Sequence, residues 1–419
     1  MSNPIKIMQI GDGNFIRAFF DLAVERLGLQ AGIVSVGATP RGQTVEKLRQ
    51  QKGCFTIIER GLQQQRPYES STTVKVIQDI INPYTEWHQF LDYAASGDLE
   101  MIVSNTTEAG IYYENIPYPT ECPESYAAKL TIFLYRYFQN FKGKKKLSIV
   151  PLELIEQNGS RLREICLQHS IDWKMEASFT EWLQAIPFCN TLVDRIVVGF
   201  PKDMEKNEDP LLTVCEPYFL FVIDQREPFT DWPSDDSLPF VFDDIDQYRQ
   251  RKVAVLNGSH TVLAALGRHA QCRTVKEAFT HPGIRRFVDC MVNEFIERYD
   301  VEPSYKDAVF ERFLNPYIEH LLFDIQLNEL SKWQSRIAPY AGTPYYNKAL
   351  ALGLYFMNPN KFTVRESNQN LEKLQAIHNA AGDGNTQPMA QFIEEVFFCQ
   401  SKPILNEFSR INSILEDIK

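Results

Sequence analysis

The sequence predicts an α/β fold in which a parallel sheet with crossover helices, residues 1–240, precedes an all-α domain, residues 241–419. Three observations carry this. Short β-branched runs alternate with amphipathic stretches through the first half, the pattern of strands joined by helices. Turn formers and acids then accumulate over Glu227 to Asp246 while periodicity disappears, which marks a boundary. From Lys252 onward the apolar spacing is helical almost without interruption. A chain of 419 residues is also too long for one ordinary core, at roughly 150 residues per domain.

Taken in order, Ile5 to Ile10 reads as a strand, Phe15 to Leu27 as a helix, Ile33 to Val36 as a second strand and Thr44 to Gln51 as a short polar helix. Phe55 to Ile58 and Thr73 to Ile77 flank a polar, Gln-rich turn and read as an inserted hairpin. Met101 to Val103 and Leu147 to Val150 are further buried strands, and Ile196 to Phe200 and Leu211 to Ile223 add strand signal. The second half reads as helices over Val253 to His269, Thr274 to Thr280, Arg285 to Tyr299, Tyr305 to Phe313, Ile318 to Leu330, Asn347 to Phe356, Asn370 to Ala381 and Met389 to Phe398.

The balance of 44% apolar and 23% charged residues suits a folded enzyme, and a net charge of -11 argues against a nucleic-acid footprint, which needs clustered cations. The one basic run, Lys142 to Lys146, reads as a solvated turn. The eight cysteines are scattered without a CxxC, so they signal neither a disulfide framework nor a zinc site, and no metal is expected. The N-terminus runs directly into a strand, and no apolar stretch approaches the roughly 18 residues of a membrane span. These features predict a cytoplasmic protein, a monomer or small homo-oligomer, with no membrane partner.

Directly after the first strand stands Gly11-Asp12-Gly13-Asn14-Phe15-Ile16-Arg17, a glycine turn opening a helix. Glycines there let the backbone approach a pyrophosphate, whose charge then rests on the helix N-terminus. The third glycine of the usual fingerprint is absent, since Ile16 takes its place. The context nevertheless predicts a Rossmann-like dinucleotide-binding domain. The second strand ends in Gly37-Ala38-Thr39-Pro40-Arg41 without the acid that normally grips the adenosine ribose. Arg41 could meet a 2′-phosphate, or Thr39 and backbone could hold a free ribose, so NAD is expected with NADP still open.

Lys252, Asn257 and His260 are spaced i, i+5 and i+8 in an apolar run. On an ideal α-helix they lie at about 0°, 140° and 80°, so one cleft could receive all three. Lys-x4-Asn-x2-His resembles the signature of the mannitol dehydrogenase family, the polyol-specific long-chain dehydrogenases. So do the opening Gly11, Gly13, Phe15, Arg17 and Ala18, and the stretch Cys189-Asn190-Thr191-Leu192-Val193-Asp194-Arg195-Ile196. Within the family, Val103 to Ile111, Pro151 to Gly159, and Arg312-Phe313-x-Asn315-Pro316 with Glu319-His320 resemble the tagaturonate reductase (altronate oxidoreductase) branch, of which this chain would be a short member.

The resemblance implies hydride transfer between a nicotinamide cofactor and a secondary alcohol or ketone of an open-chain sugar acid. A hydride leaves such an alcohol only as its proton is removed, and an amine can serve as base where its surroundings bring its pKa from roughly 10.4 towards about 7 to 8. By resemblance Lys252 is that base, Asn190 and Asn257 form the oxyanion hole, and His260 holds a substrate hydroxyl. Gly11, Gly13, Asn14, Phe15, Thr39, Arg41, Asn105 and Thr106 are expected on the cofactor. Glu153 and Asn158 are expected on substrate or nicotinamide, and Arg17, Arg195, Lys202 and Arg336 are candidates for the substrate carboxylate. The rival expectations are a mannitol 2-dehydrogenase or fructuronate reductase, a dinucleotide-binding sensor without catalysis, and a helical half that serves as an interaction module.

Overall fold

Ile5–Ile10 (β1) alternates nothing: its last four residues are all buried, as a strand covered on both faces requires. Gly32–Val36 (β2) is buried at every position for the same reason. The computed structural model describes residues 3–106, 110–201, 209–381 and 385–418. The remaining strands are Phe55–Gln63 (β3), Arg66–Val74 (β4), Ile77–Ile81 (β5), Met101–Ser104 (β6), Ser148–Pro151 (β7), Thr191–Asp194 (β8), Val197–Gly199 (β9), Thr213–Cys215 (β10), Leu220–Ile223 (β11) and Phe240–Phe242 (β12).

The main sheet has the order β5-β2-β1-β6-β7 and every pair in it is parallel. β1 is central, with β2 on one side and β6 on the other, so the strand order reverses there. In open parallel sheets that reversal places the ligand crevice at the carboxyl ends of the strands. Helices Gln43–Gln50, Trp87–Asp92 and Tyr126–Phe141 lie between successive strands. The last of these starts on a Ser125 cap, whose hydroxyl accepts from the Ala128 amide. Two smaller sheets, β4-β3-β10-β9 and β12-β11-β8, complete this part.

Two expectations are corrected here. The expected hairpin is β3 and β4, but Thr73 to Ile77 does not end it: Ile77 opens β5, a separate strand of the main sheet. β5 is an edge strand in which Gln78 and Asp79 break the apolar run, which hides it from pattern reading. The stretch Glu227 to Asp246 is not free of structure, since Phe240, Val241 and Phe242 pair in parallel with Phe221, Val222 and Ile223.

The chain divides into two compact units, Met1–Arg60 with Tyr68–Ile245, and Gly61–Pro67 with Asp246–Lys419. The second is helical. Helix Pro282–Tyr299 shows why: Ile284, Phe287, Val288, Met291, Val292 and Phe295 fall on one buried stripe, with Pro282 at its first position. Helix Gly258–His269 is buried from Gly258 through Gly267 and runs through the middle of this core. The helix expected over Ile318 to Leu330 is two, Leu322–Ile325 and Glu329–Arg336, because Asn328 takes a left-handed conformation at φ 58° between them. Helices Ser401–Phe408 and Ile411–Ile418 were not expected. Among the described residues no helix is long and apolar enough to cross a membrane.

Candidate functional site

In the first unit the carboxyl ends of three strands meet at the glycine turn. The Gly11 amide donates to the Val36 carbonyl at 2.8 Å and the Asn105 amide to the Ile10 carbonyl at 2.9 Å, so β1, β2 and β6 are stitched together there. Gly11 has φ 116°, and a Cβ on it would stand 2.6 Å from the Asn105 carbonyl oxygen, so only glycine fits. Gly13 differs. It caps the helix that begins at Asn14, and a Cβ there would meet nothing within 4 Å. The space in front of the helix N-terminus is therefore open, as a pyrophosphate cradle must be.

The helix itself is irregular. Asn14–Ile16 runs into a π-turn over Arg17–Asp21 and then into Leu22–Arg26. Arg17 lies beneath the cradle, donating to the Asp12 and Leu211 carbonyls and to Asn14 Oδ1, with its guanidinium 5.2 Å from the Phe55 ring centroid. Asn14 thus spends its oxygen on Arg17, and Phe15 stacks on Phe19 at 5.1 Å. Thr39 and Arg41 are exposed past the end of β2. Thr106 donates both its amide and its hydroxyl to Glu153 Oε1, at 2.8 and 2.9 Å.

Several expected substrate ligands turn out to be occupied inside this unit. Glu153 is buried, and Ser104 and Thr106 take its two oxygens; burial raises its pKa, with those hydrogen bonds opposing. Asn158 donates to the Pro151 and Glu153 carbonyls and to Thr191 Oγ1, and accepts from the Gly159 and Thr191 amides. That saturates a carboxamide. It pins the exit of β7 to the start of β8. Arg195 donates to the Ala18 and Glu216 carbonyls and forms a buried ion pair with Glu59. Arg17 and Arg195, expected on the substrate carboxylate, and Asn158, expected on substrate or nicotinamide, each hold internal partners in this unit. Lys202 lies outside the described residues.

Asn190 is engaged in a similar way. Its Nδ2 donates to Asp224 Oδ2 at 2.8 Å and to Ser160 Oγ at 3.0 Å, and its Oδ1 accepts from the Ser160 amide. Both amide hydrogens are spoken for, so it offers no idle donor to an oxyanion.

The second unit holds a different arrangement. Helix Ile245–Arg251 passes through a π-turn over Lys252–Asn257 into helix Gly258–His269. Closing on i→i+5 hydrogen bonds, a π-turn sets Asn257 one turn above Lys252, where an α-helix would rotate it away. Spacing read with an α-helical period missed this. The Asn257 carboxamide has no hydrogen-bond partner among the described residues, in contrast to Asn190.

His260 follows on the same helix, 8% exposed, with Phe313 at 4.8 Å and His320 at 4.7 Å between ring centroids. Burial first, then His320, Arg312 and Arg336, hold its pKa well below the usual imidazole value, so its ring is neutral. A neutral imidazole offers one donor and one acceptor, which suits a hydroxyl. Arg336 donates to Thr261 Oγ1 at 3.3 Å and has no carboxylate partner among the described residues; burial lowers its pKa. Gly258 lets it come close, since a Cβ there would be 3.2 Å from the Arg336 carbonyl.

Three comparisons with known proteins bear on this geometry. The Mannitol dehydrogenase Rossmann domain matches residues 5–233 and the Mannitol dehydrogenase C-terminal domain residues 244–347. The chain belongs to the mannitol dehydrogenase family. An altronate oxidoreductase of Cronobacter sakazakii is 38% identical over 361 residues, 80% of this chain and 74% of that protein. One of Bacillus subtilis is 36% identical over 362 residues with the same coverage. The solved ternary complex of Pseudomonas fluorescens mannitol 2-dehydrogenase with NAD and D-mannitol shares the fold, with a TM-score of 0.64 at 20% identity over 99% of this chain and 94% of that one. A substrate-free D-sorbitol dehydrogenase gives 0.73 at 18% identity, over 100% and 94%.

As a member of the mannitol dehydrogenase family the chain is a nicotinamide-dependent dehydrogenase acting on CH–OH groups. The family's C-terminal domain spans Lys252, Asn257, His260 and Arg336 together with Arg312 and His320. The last two belong to a stretch singled out in the sequence, yet their part in the electrostatics of His260 emerged only from the fold. Among the described residues no cluster of histidine, cysteine, aspartate or glutamate could hold a metal ion.

Proposed function

We propose that the protein interconverts tagaturonate and altronate with NAD. The observation that carries this reading is Arg336: a half-buried cation with no carboxylate partner among the described residues, beside Thr261 and near a neutral His260, in the unit that bears Lys252 and Asn257. A polyol dehydrogenase has no need of such a cation, whereas a sugar acid brings the missing carboxylate. The relatives named altronate oxidoreductase support the same substrate.

In the oxidative direction the Lys252 amine takes the hydroxyl proton of the reacting carbon. The nicotinamide, when bound, accepts that carbon's hydride. Asn257 donates to the oxygen as charge gathers on it, and His260 holds a neighbouring hydroxyl. In reverse the Lys252 ammonium returns its proton to the ketone oxygen. The glycine turn fits a dinucleotide, with Gly11 allowing the close pass and Gly13 leaving room for the pyrophosphate. Exposed Arg41 leaves the 2′ position of the ribose open to either cofactor, and NAD is the one we favour. Eight cysteines without a disulfide accord with a reducing, cytoplasmic setting and a small-molecule partner.

The test is a panel of hexuronates, hexonates and polyols with NADH, NADPH and their oxidised forms, followed by nicotinamide absorbance beside Lys252→Ala. Tagaturonate and altronate should turn over best, and Lys252→Ala should lose nearly all turnover while keeping cofactor affinity. Fructose reduced as efficiently as tagaturonate would move the protein to the mannitol 2-dehydrogenase branch. Fructuronate preferred over tagaturonate would make it a fructuronate reductase. Tight cofactor binding with no turnover at all would make it a sensor.

A further inference from the structure

Within the first unit, a cavity of about 180 Å³ opens at the carboxyl ends of β1 and β2. Ile10, Val36, Phe90, Leu130 and Phe133 give it apolar walls, and into them reaches one amine, Lys129, from helix Tyr126–Phe141. Lys129 is 5% exposed. Among the described residues it has no carboxylate partner, and its only hydrogen bond runs to the Tyr84 hydroxyl at 2.6 Å. That hydroxyl in turn donates to the Ala38 carbonyl at 3.1 Å, just past the end of β2. Two of the three N–H groups of the ammonium are therefore idle.

A buried cation with idle donors weakens a fold unless something compensates it. Burial has already drawn the Lys129 pKa down from the usual lysine value to about 8, with Cys122 and Glu124 acting against the shift. In the same wall the buried Tyr126 hydroxyl also lacks a hydrogen-bond partner. An ion pair or a structural hydrogen-bond network would have satisfied these groups from the protein, and neither is present among the described residues. What is missing is a flat, mostly apolar guest with acceptor atoms on its rim. The place is the crevice where a dinucleotide's adenosine half belongs, beside a β2 end that lacks the customary acid.

We propose that Lys129, steadied by Tyr84, is the residue that reads the adenine ring, donating from the floor of this cavity to ring nitrogens of the base. The inference rests on the reading above that the enzyme uses an adenine dinucleotide. A phosphate is the poorer guest, since the walls set the Glu124 carboxylate near the one amine. Arg41, exposed outside the cavity, is the cation placed to meet a 2′-phosphate.

The experiment is calorimetric titration of the full-length protein with ADP-ribose, 2′-phospho-ADP-ribose and NADH, for wild type, Lys129→Gln and Tyr84→Phe. Turnover is read in parallel with NADH and with reduced nicotinamide mononucleotide, which has no adenosine. Lys129→Gln should weaken ADP-ribose roughly 10- to 100-fold, the loss of a charge-assisted hydrogen bond. It should raise the KM for NADH alike, and leave the KM for the mononucleotide unchanged. Tyr84→Phe should act in the same direction by less, and it carries the test should Lys129→Gln fail to fold. Unchanged ADP-ribose affinity in a variant that still binds NADH overturns the role of Lys129 alone. A loss confined to the 2′-phosphorylated ligand overturns it too, by placing a phosphate there. A wild type that binds neither NADH nor ADP-ribose overturns the functional reading itself.

Discussion

Gln9 and Asp21 face one another beneath the glycine turn with one hydrogen bond made and two oxygens idle. Gln9 Nε2 donates to Asp21 Oδ2 at 3.4 Å, while Gln9 Oε1 and Asp21 Oδ1 have no partner. Both side chains are fully buried, and burial pushes the Asp21 pKa up to about 7 against the pull of Gln9 and Arg17. A proton on Oδ1 supplies the donor that Gln9 Oε1 lacks, so the neutral acid is the form the fold prefers.

Stability should follow that proton. The unfolded carboxyl titrates near 3.9, so the raised folded pKa gives a contribution that is complete below about pH 4 and lost as pH rises to about 7. Asp21→Asn keeps the shape and makes both bonds at every pH. Denaturant midpoints from pH 5 to 8 should fall less in the variant than in wild type, with a gap on the order of a few kcal/mol at pH 8. Parallel pH profiles would show that Asp21 is charged in the fold.

The two glycines of the turn should separate folding from binding. Gly11→Ala sets a Cβ against the Asn105 carbonyl at a left-handed φ, and should cost on the order of 1 to 3 kcal/mol in stability. Gly13→Ala meets no protein atom and should leave the melting temperature unchanged while raising the KM for NADH. If Gly13→Ala binds NADH normally, the cradle lies elsewhere.

Asn257 and Asn190 offer a second contrast. Removing the idle carboxamide of Asn257 should lower kcat by about 10²- to 10³-fold with little change in stability, as for a single oxyanion donor. Asn190→Ala strips Asp224 and the Ser160 amide of their partner, so its loss should appear in thermal unfolding. Equal kcat losses in both variants would restore Asn190 to the oxyanion hole.

The parallel sheet and the helical half were legible because β1, β2, β6 and β7 are short, mostly apolar and largely β-branched runs and the later helices carry clear stripes. β5 was not, since an edge strand tolerates Gln78 and Asp79. Lys252, Asn257 and His260 were visible as residue types at a spacing, but the π-turn that stacks the first two depends on backbone hydrogen bonds that no side-chain pattern encodes. The internal partners of Asn158, Arg195 and Asn190 stayed hidden for a common reason. A polar residue within a motif looks alike whether it meets substrate or ties two strands together, and only its partners decide. Lys129 escaped notice because a single lysine on an amphipathic helix ordinarily reaches water.

Arg336 carries the choice of substrate. Its single hydrogen bond among the described residues, to the Thr261 hydroxyl at 3.3 Å, leaves most of the guanidinium unused, and with no carboxylate partner among them the charge is compensated when an anion binds. A bidentate pair with a carboxylate contributes about 1.5 to 3 kcal/mol, so Arg336→Met should raise the KM for tagaturonate roughly 10- to 100-fold. The corresponding uncharged polyol, already a poor substrate, should be bound no worse by the variant than by wild type. Arg336→Lys should recover only part of the loss, because an ammonium cannot present the two parallel donors. The melting temperature should hold or rise, since the change removes a half-buried charge with no carboxylate beside it among the described residues. If the KM values for the acid and the polyol shift by the same factor, Arg336 shapes the pocket without reading charge, and the carboxylate must be held by another residue.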